Sequence, residues 1–308
     1  MRNVDGATVG LRAAGRLLAC AVVLALLAGC VQYVSGKDLV KPKRGYALTG
    51  GPEQAAVPPW TIEPLSLVTE DGAVLRGARF MRPDAKATVL YYGGNIFTLS
   101  RYYHLMPRVF GSMPVNVIAY DYRGYGGSTG TPTLDLVFRD SLALYDHTRS
   151  AQGQVVGPLL VYGHSFGAFV ALKVASQRPL DALALEALGT DLDTVVRNFR
   201  EVTPWWTFGT YSFVAASELH AYDNRPLMRM LDEPLLMLVG DKDVSTPPEM
   251  SRELFALAPL PADRKRLLLL PDGSHRYASA SPEFPPAFVW LMEQAGARLP
   301  AQPAKPVQ

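Results

Sequence analysis

Five residues in the middle of the chain, Gly163-His164-Ser165-Phe166-Gly167, have the types and spacing to present an activated serine. An apolar run from Leu159 to Tyr162 precedes them. Small and apolar residues follow at helical spacing: Ala168, Val170, Ala171, Val174 and Ala175. Strand, tight turn and helix form the context in which G-x-S-x-G carries a nucleophile. The serine then sits in a strained backbone conformation at the strand's C-terminal end, and its hydroxyl projects from the sheet edge. Its neighbours must be small because strand and helix nearly touch. The new helix aims unpaired backbone N–H groups and its positive end at any anion forming on the serine. A serine hydroxyl is a poor nucleophile until a base takes its proton. Five histidines could serve as that base, His104, His147, His164, His220 and His275.

The elements that must position these groups follow in order. LSLVTE, Asp71-Gly72 and AVLRGARF predict a β-hairpin, since Asp-Gly between such runs favours a tight turn. Residues 87–92 form a buried strand ending at Gly93-Gly94-Asn95. A helix is predicted near 100–110, a strand at 115–120, and a loop at 121–128, DYRGYGGS. Residues 134–150 carry Leu134, Val137, Phe138, Leu142 and Tyr145 on one helical face. After the G-x-S-x-G turn come a short strand at 182–185 and an irregular, aromatic-rich helical insert at 188–232. Strands at 235–239 and 265–270 alternate with helices at 249–258 and 287–295. This alternation implies a mostly parallel sheet with helices on both faces. In such sheets function collects at the strands' carboxyl ends.

The chain has 308 residues, 48% hydrophobic and 19% charged, enough for a sizeable core. Of 30 basic and 28 acidic side chains, three and one fall in the first 29 residues, so the remainder balances at 27 each. No basic block calls for nucleic acid. Cys20 and Cys30 are the only cysteines, so the body has no disulfide or cysteine-based metal site, and the H-x-x-x-H spacing is also absent. Arginines, an apolar run at 17–28, and Leu27-Ala28-Gly29-Cys30 have the layout of a secretory signal. The apolar run is short of the ~20 residues of a transmembrane helix. Its last four residues resemble the bacterial lipobox. That resemblance implies cleavage after residue 29 and lipid on Cys30, anchoring the protein to the cell-envelope membrane. Val31 in place of an aspartate favours the outer membrane. Residues 30–60, with KPKRG, TGGP and VPPW, read as a tether or as an ordered arm packed on the domain, on which Tyr46 and Trp60 could dock, and residues 298–308 as a disordered tail. Residues 61–297 are expected to form the folded domain.

Four stretches together resemble the α/β-hydrolase superfamily: GHSFG at 163–167, YYGGN at 91–95, DYRGYGGS at 121–128, and GDKD at 240–243 with DGSH at 272–275. They cover the chain from about residue 63 to 295, in the family's order. The pattern is similar to that of small-lid serine hydrolases with an HGN-type loop, grouped with the serine aminopeptidase-like enzymes. One position departs from it, since Gly93 stands where such loops carry histidine. The resemblance implies a twisted, mostly parallel sheet flanked by helices, with an N-terminal hairpin and a small lid at 188–232. It implies a triad in the order serine, acid, histidine. Ser165 is then the nucleophile, and His275 is the histidine that lies beyond the acid's strand. Asp241 and Asp243 both follow that strand; the family's G-x-x-D pattern favours Asp243. The backbone N–H groups of Asn95 and Phe166 would hold the oxyanion. The implied reaction is two-step acyl transfer from an ester, thioester or amide of a small molecule, with no metal or cofactor. A non-catalytic envelope binding protein, or an acyltransferase or peptidase on the same triad, is the alternative.

Overall fold

The computed structural model describes residues 30–49, 60–150, 155–201, 211–276 and 278–297. Among the described residues the first elements are a strand β1 (Cys30–Val34) and one helical turn, α1 (Gly36–Leu39). The Asp-Gly hairpin follows as β2 (Thr61–Val68) and β3 (Val74–Met81). Next come β4 (Ala87–Tyr92), two short helices α2 (Leu99–Tyr102) and α3 (Leu105–Phe110), β5 (Val115–Tyr120) and α4 (Leu134–Arg149). The serine turn joins β6 (Leu159–His164) to α5 (Phe166–Ala175), ahead of β7 (Ala182–Glu186). The insert contributes α6 (Leu192–Arg197), β8 (Tyr211–Ala215) and α7 (Arg225–Met228). The chain closes with β9 (Leu235–Gly240), α8 (Pro248–Leu257), β10 (Lys265–Leu270) and α9 (Phe284–Gln294).

Eight strands form one sheet in the order β10-β9-β7-β6-β4-β5-β3-β2. The six strands from β10 to β5 run parallel; β3 is antiparallel to both β5 and β2. Runs such as VNVIAY and ATVLYY lack a polar alternate face, and every residue of β4, β5, β6 and β9 is buried. Strands covered on both faces read this way. One apolar layer joins the sheet to α4, α5 and α8; the other joins it to α3 and α9. In the second layer Phe110, Tyr162, Phe284 and Phe288 pack with ring centroids 5.2–6.2 Å apart. This is the architecture expected from the alternation of elements.

Two local features differ from the expectation, and a third decides between two readings. The helix near 100–110 is two pieces, because Pro107 lacks an N–H and fits only the first turn of the second one. The insert contains a strand, β8, which pairs in parallel with β1 from Cys30↔Tyr211 to Val34↔Ala215. Residues 30–49, read as a tether or as a packed arm, are the packed arm, lying against the body with Val34, Leu39, Val40 and Leu48 buried. Apolar side chains at those positions gain more from burial than a solvated tether would allow. Residues 50–59, the signal segment and the expected tail lie outside the described residues, while Trp60 is buried.

Candidate active site

Ser165 caps the N-terminus of α5 with φ 55° and ψ −117°, a left-handed conformation that costs a non-glycine residue about 1–3 kcal/mol. The close approach predicted for its neighbours is real. A Cβ on Gly163 would overlap the Gly167 backbone, and one on Gly167 would overlap the Tyr92 carbonyl oxygen. Eight of the ten residues of α5 are buried, and Ser165 N–H donates to the Glu186 carbonyl at 2.8 Å. Packing and this bond hold the strained turn. A serine at an N-cap ordinarily accepts a bond from the first helical turn. Ser165 makes no such bond, and its Oγ lies 2.9 Å from His275 Nε2.

His275 and Asp243 reach the serine on the loops after β10 and β9. Those loops are stitched together: Asp241 N–H donates to the Leu270 carbonyl at 3.0 Å and Lys242 N–H to the Gly273 carbonyl at 2.8 Å. Gly240 and Gly273 touch backbone to backbone, leaving no room for a side chain at either. His275 Nδ1 lies 2.8 Å from Asp243 Oδ2. A carboxylate accepts, so Nδ1 carries the proton and Nε2 is left to accept from Ser165. The Asp243 side chain has no exposed surface. Its Oδ1 accepts from Ser245 N–H and Thr246 N–H, both at 2.9 Å, and its Oδ2 accepts from the Thr246 hydroxyl at 2.8 Å. Burial opposes its charge, but the bond and charge of His275 and the Thr246 donors outweigh it, so its pKa lies below the usual carboxylate value. Asp241, by contrast, is exposed. Between the two acids left open by the sequence, Asp243 is the one that meets His275.

The Gly93-Gly94-Asn95 loop stands beside this group. Where related loops carry histidine, Gly93 is pressed against the Phe97 ring, with no space for a Cβ. The loop is held from outside. Tyr122 OH donates to the Gly93 carbonyl at 2.8 Å, and Tyr125 OH to Asn95 Oδ1 at 2.8 Å. Both tyrosines come from DYRGYGGS. Tyr122 also packs edge-on against Phe166, the residue after the serine, at 5.6 Å. The same segment is braced below: Asp121 accepts from Leu99 N–H at 2.6 Å and Gly127 N–H at 3.0 Å, while Arg123 pairs with Asp140 and Asp71. Burial pushes the Asp121 carboxyl up to about 6, against the pull of those two N–H donors. His164 Nε2 donates to the His275 carbonyl at 3.2 Å. It therefore supports the histidine loop, with its ring 5.9 Å from that of His275 and bordering the cavity at Ser165. Spacing gave no hint of the contributions of Tyr122, Tyr125 and His164, since each acts across a long sequence gap; Thr246 lies only three residues past Asp243.

Two cavities meet at Ser165. One, of about 430 Å³, is bordered by Ile96, Phe97, Arg101, Tyr102 and Arg276. The other, about 150 Å³, is walled by Leu39 from the arm, Phe166 and Phe169 from α5, and Leu192, Val195 and Phe199 from the insert. Asn95, Ser165 and His275 border both. Of the aromatics in the insert, Phe199 lines the small cavity and packs on Phe213 at 5.9 Å. Trp205, Trp206 and Phe208 lie outside the described residues. Among the described residues no cluster could ligate a metal, and no helix is long and apolar enough to cross a membrane.

Comparison with known proteins agrees with this arrangement. The sequence model of the family described as serine aminopeptidase, S33, matches residues 83–228. The human protein ABHD12B is 28% identical over 180 residues, covering 54% of this chain and 49% of its own. The lysophosphatidylserine lipase ABHD12 of Macaca fascicularis is 27% identical over 217 residues, covering 65% and 54%. The chain thus spans about half the length of these curated relatives. Among solved structures, the Pyrococcus furiosus esterase Pf2001 superposes with a TM-score of 0.63 at 19% identity, covering 83% of this chain and 99% of that one. The fold is the α/β-hydrolase fold. The matching family model and the named lipase are both of hydrolases, and the solved esterase shares the fold.

Proposed function

We propose that this α/β-hydrolase cleaves carboxylic esters or thioesters of small molecules through an acyl-enzyme on Ser165. The observation that carries the reading is the continuous chain of contacts from Ser165 Oγ to His275 Nε2 at 2.9 Å and from His275 Nδ1 to Asp243 Oδ2 at 2.8 Å. Ser165 Oγ attacks the carbonyl carbon while its proton passes to His275 Nε2. The carbonyl oxygen becomes an oxyanion, held by the backbone N–H groups of Asn95 and Phe166; such donors contribute about 2.7–4 kcal/mol each. Asp243, kept ionised by its donors, stabilises the imidazolium and fixes its tautomer. The C–O or C–S bond then breaks, and His275 returns the proton to the leaving group. Water, deprotonated by the same histidine, releases the acid and restores Ser165. Names of the relatives, a lipase and an esterase among them, support the ester reading.

Hydrolysis of p-nitrophenyl hexanoate by the purified body tests it. Ser165→Ala and His275→Ala should each lower kcat by about 10⁴-fold or more. A folded Ser165→Ala variant that turns over at the parent rate contradicts the nucleophile assignment.

We also place lipid on Cys30, supported by Leu27-Ala28-Gly29-Cys30 after an arginine-flanked apolar run. This puts the enzyme on the envelope membrane, with Val31 favouring the outer one. Cys30→Ala should move the protein from the detergent phase to the aqueous phase; unchanged partitioning and mass refute the anchor.

A further inference from the structure

The two cavities that meet at Ser165 differ in chemistry. The smaller is closed by aliphatic and aromatic side chains from three separate parts of the chain, and the polar atoms it offers belong to the site itself or to Ser245 and Thr246. The larger carries two guanidinium groups, Arg101 from α2 and Arg276 from the residue after His275. Arg101 stacks over the Tyr102 ring at 5.4 Å. Among the described residues, neither arginine has a carboxylate within ion-pairing distance, and no acidic side chain borders that cavity. Arg123 and Arg225 behave differently, each being held by more than one acid. Two uncompensated cations bordering one concave site attract an anion.

The reaction fixes which half of the substrate lies there. A chain of methylenes suits the smaller, uncharged cavity, whereas the larger adds two cations to its Ile96, Phe97 and Tyr102 side chains and so suits a half that carries charge. The leaving oxygen must receive its proton from His275 Nε2, and the next residue along the chain is Arg276. We infer that the substrate is a single-chain acyl ester whose alcohol half carries a phosphate or carboxylate, with Arg101 and Arg276 binding that anion as specificity residues. This rests on the hydrolase reading above and deepens it.

Four hexanoyl esters, used below their aggregation limit, test the inference: those of glycerol 3-phosphate, 3-hydroxypropanoate, glycerol and choline. At low salt the two anionic esters should exceed the glycerol ester in kcat/KM by about tenfold, with the choline ester poorest. The gap should narrow as salt screens the exposed arginines. The ratio of the phosphate to the carboxylate ester distinguishes the two anions. In Arg101→Gln/Arg276→Gln the anionic-to-neutral ratio should fall towards one, and in Arg101→Glu/Arg276→Glu the choline ester should overtake the anionic pair. Both side chains are exposed, so neither change opens the core. Free glycerol 3-phosphate should slow fluorophosphonate labelling of the parent more than of the double Gln variant. Labelling with equal rates for anionic and neutral esters, or a ratio untouched by the double substitution, overturns the inference and leaves the hydrolase reading standing. No labelling and no turnover of any ester overturns both.

Discussion

The loops after β9 and β10 and the lid over the site solve the same problem by different means. The loops place Asp243 and His275 with backbone hydrogen bonds, a glycine-to-glycine contact and a carboxylate that has all its lone pairs engaged. Little there depends on a side chain that could be exchanged. The small cavity beside the insert is bounded differently. Its wall is assembled from Leu39, Leu192, Val195 and Phe199, apolar side chains brought together by the pairing of β1 with β8. Chemistry that tolerates errors of well under an ångström sits on the stitched loops. Recognition of a flexible acyl chain, which tolerates volume-conserving change, sits on the packed wall.

That contrast is open to experiment. The largest effect is expected at the acid: Asp243→Asn should lose about 10⁴-fold in kcat, by presenting the wrong partner to His275 Nδ1, while Asp241→Asn stays near the parent. Steady-state hydrolysis of one ester by both variants checks this, and the reverse ranking overturns the assignment.

The brace under the loops should show in stability. Asp121 ionises near pH 6 when folded and near 3.8 when unfolded, so the folded chain holds its proton over the interval between. Its stability contribution is therefore greatest below pH 4, falls as pH rises, and levels off above about 6, a change of roughly 3 kcal/mol. Urea unfolding of the parent and Asp121→Asn from pH 4 to 7 should show the parent losing stability relative to the variant by that amount. Parallel curves would remove Asp121 as the cause.

A smaller loss is expected at the oxyanion loop. Tyr125→Phe removes one hydrogen bond to Asn95 and should lower kcat by up to about tenfold with KM nearly unchanged. A change confined to KM would mean that Tyr125 touches substrate instead. Smallest of all is the lid. Leu39→Ala should shift acyl-chain preference towards longer chains by a few-fold in kcat/KM, with the labelling rate of Ser165 preserved. A collapse of labelling would show that the arm shapes the loops after all.

The same contrast explains what was legible in the sequence. The sheet strands could be read because β4, β5, β6 and β9 are unbroken apolar runs, and Asp71-Gly72 announced the hairpin. Ser165 could be singled out from its G-x-S-x-G turn between an apolar run and a helical one, whereas Asp243 and His275 came from the resemblance to the α/β-hydrolases, through its G-x-x-D pattern and its order of serine, acid and histidine. The β1–β8 ribbon could not be read. Its two strands lie about 180 positions apart, and CVQYV carries no sign of its partner. Nor could the hold of Tyr122 and Tyr125 on the Gly93-Gly94-Asn95 loop, since an aromatic in a glycine-rich loop reads equally well as packing. Local spacing survives in a sequence, whereas contacts between distant segments leave no periodic trace.

The most direct test of the central claim is covalent. The parent and Ser165→Ala, both shown to be folded, are treated with a fluorophosphonate and read by intact mass and peptide mapping. One adduct per chain on Ser165, absent from the variant, is the predicted result. A folded parent that takes up no adduct, or takes it up at another residue, would contradict the triad as the site of reaction.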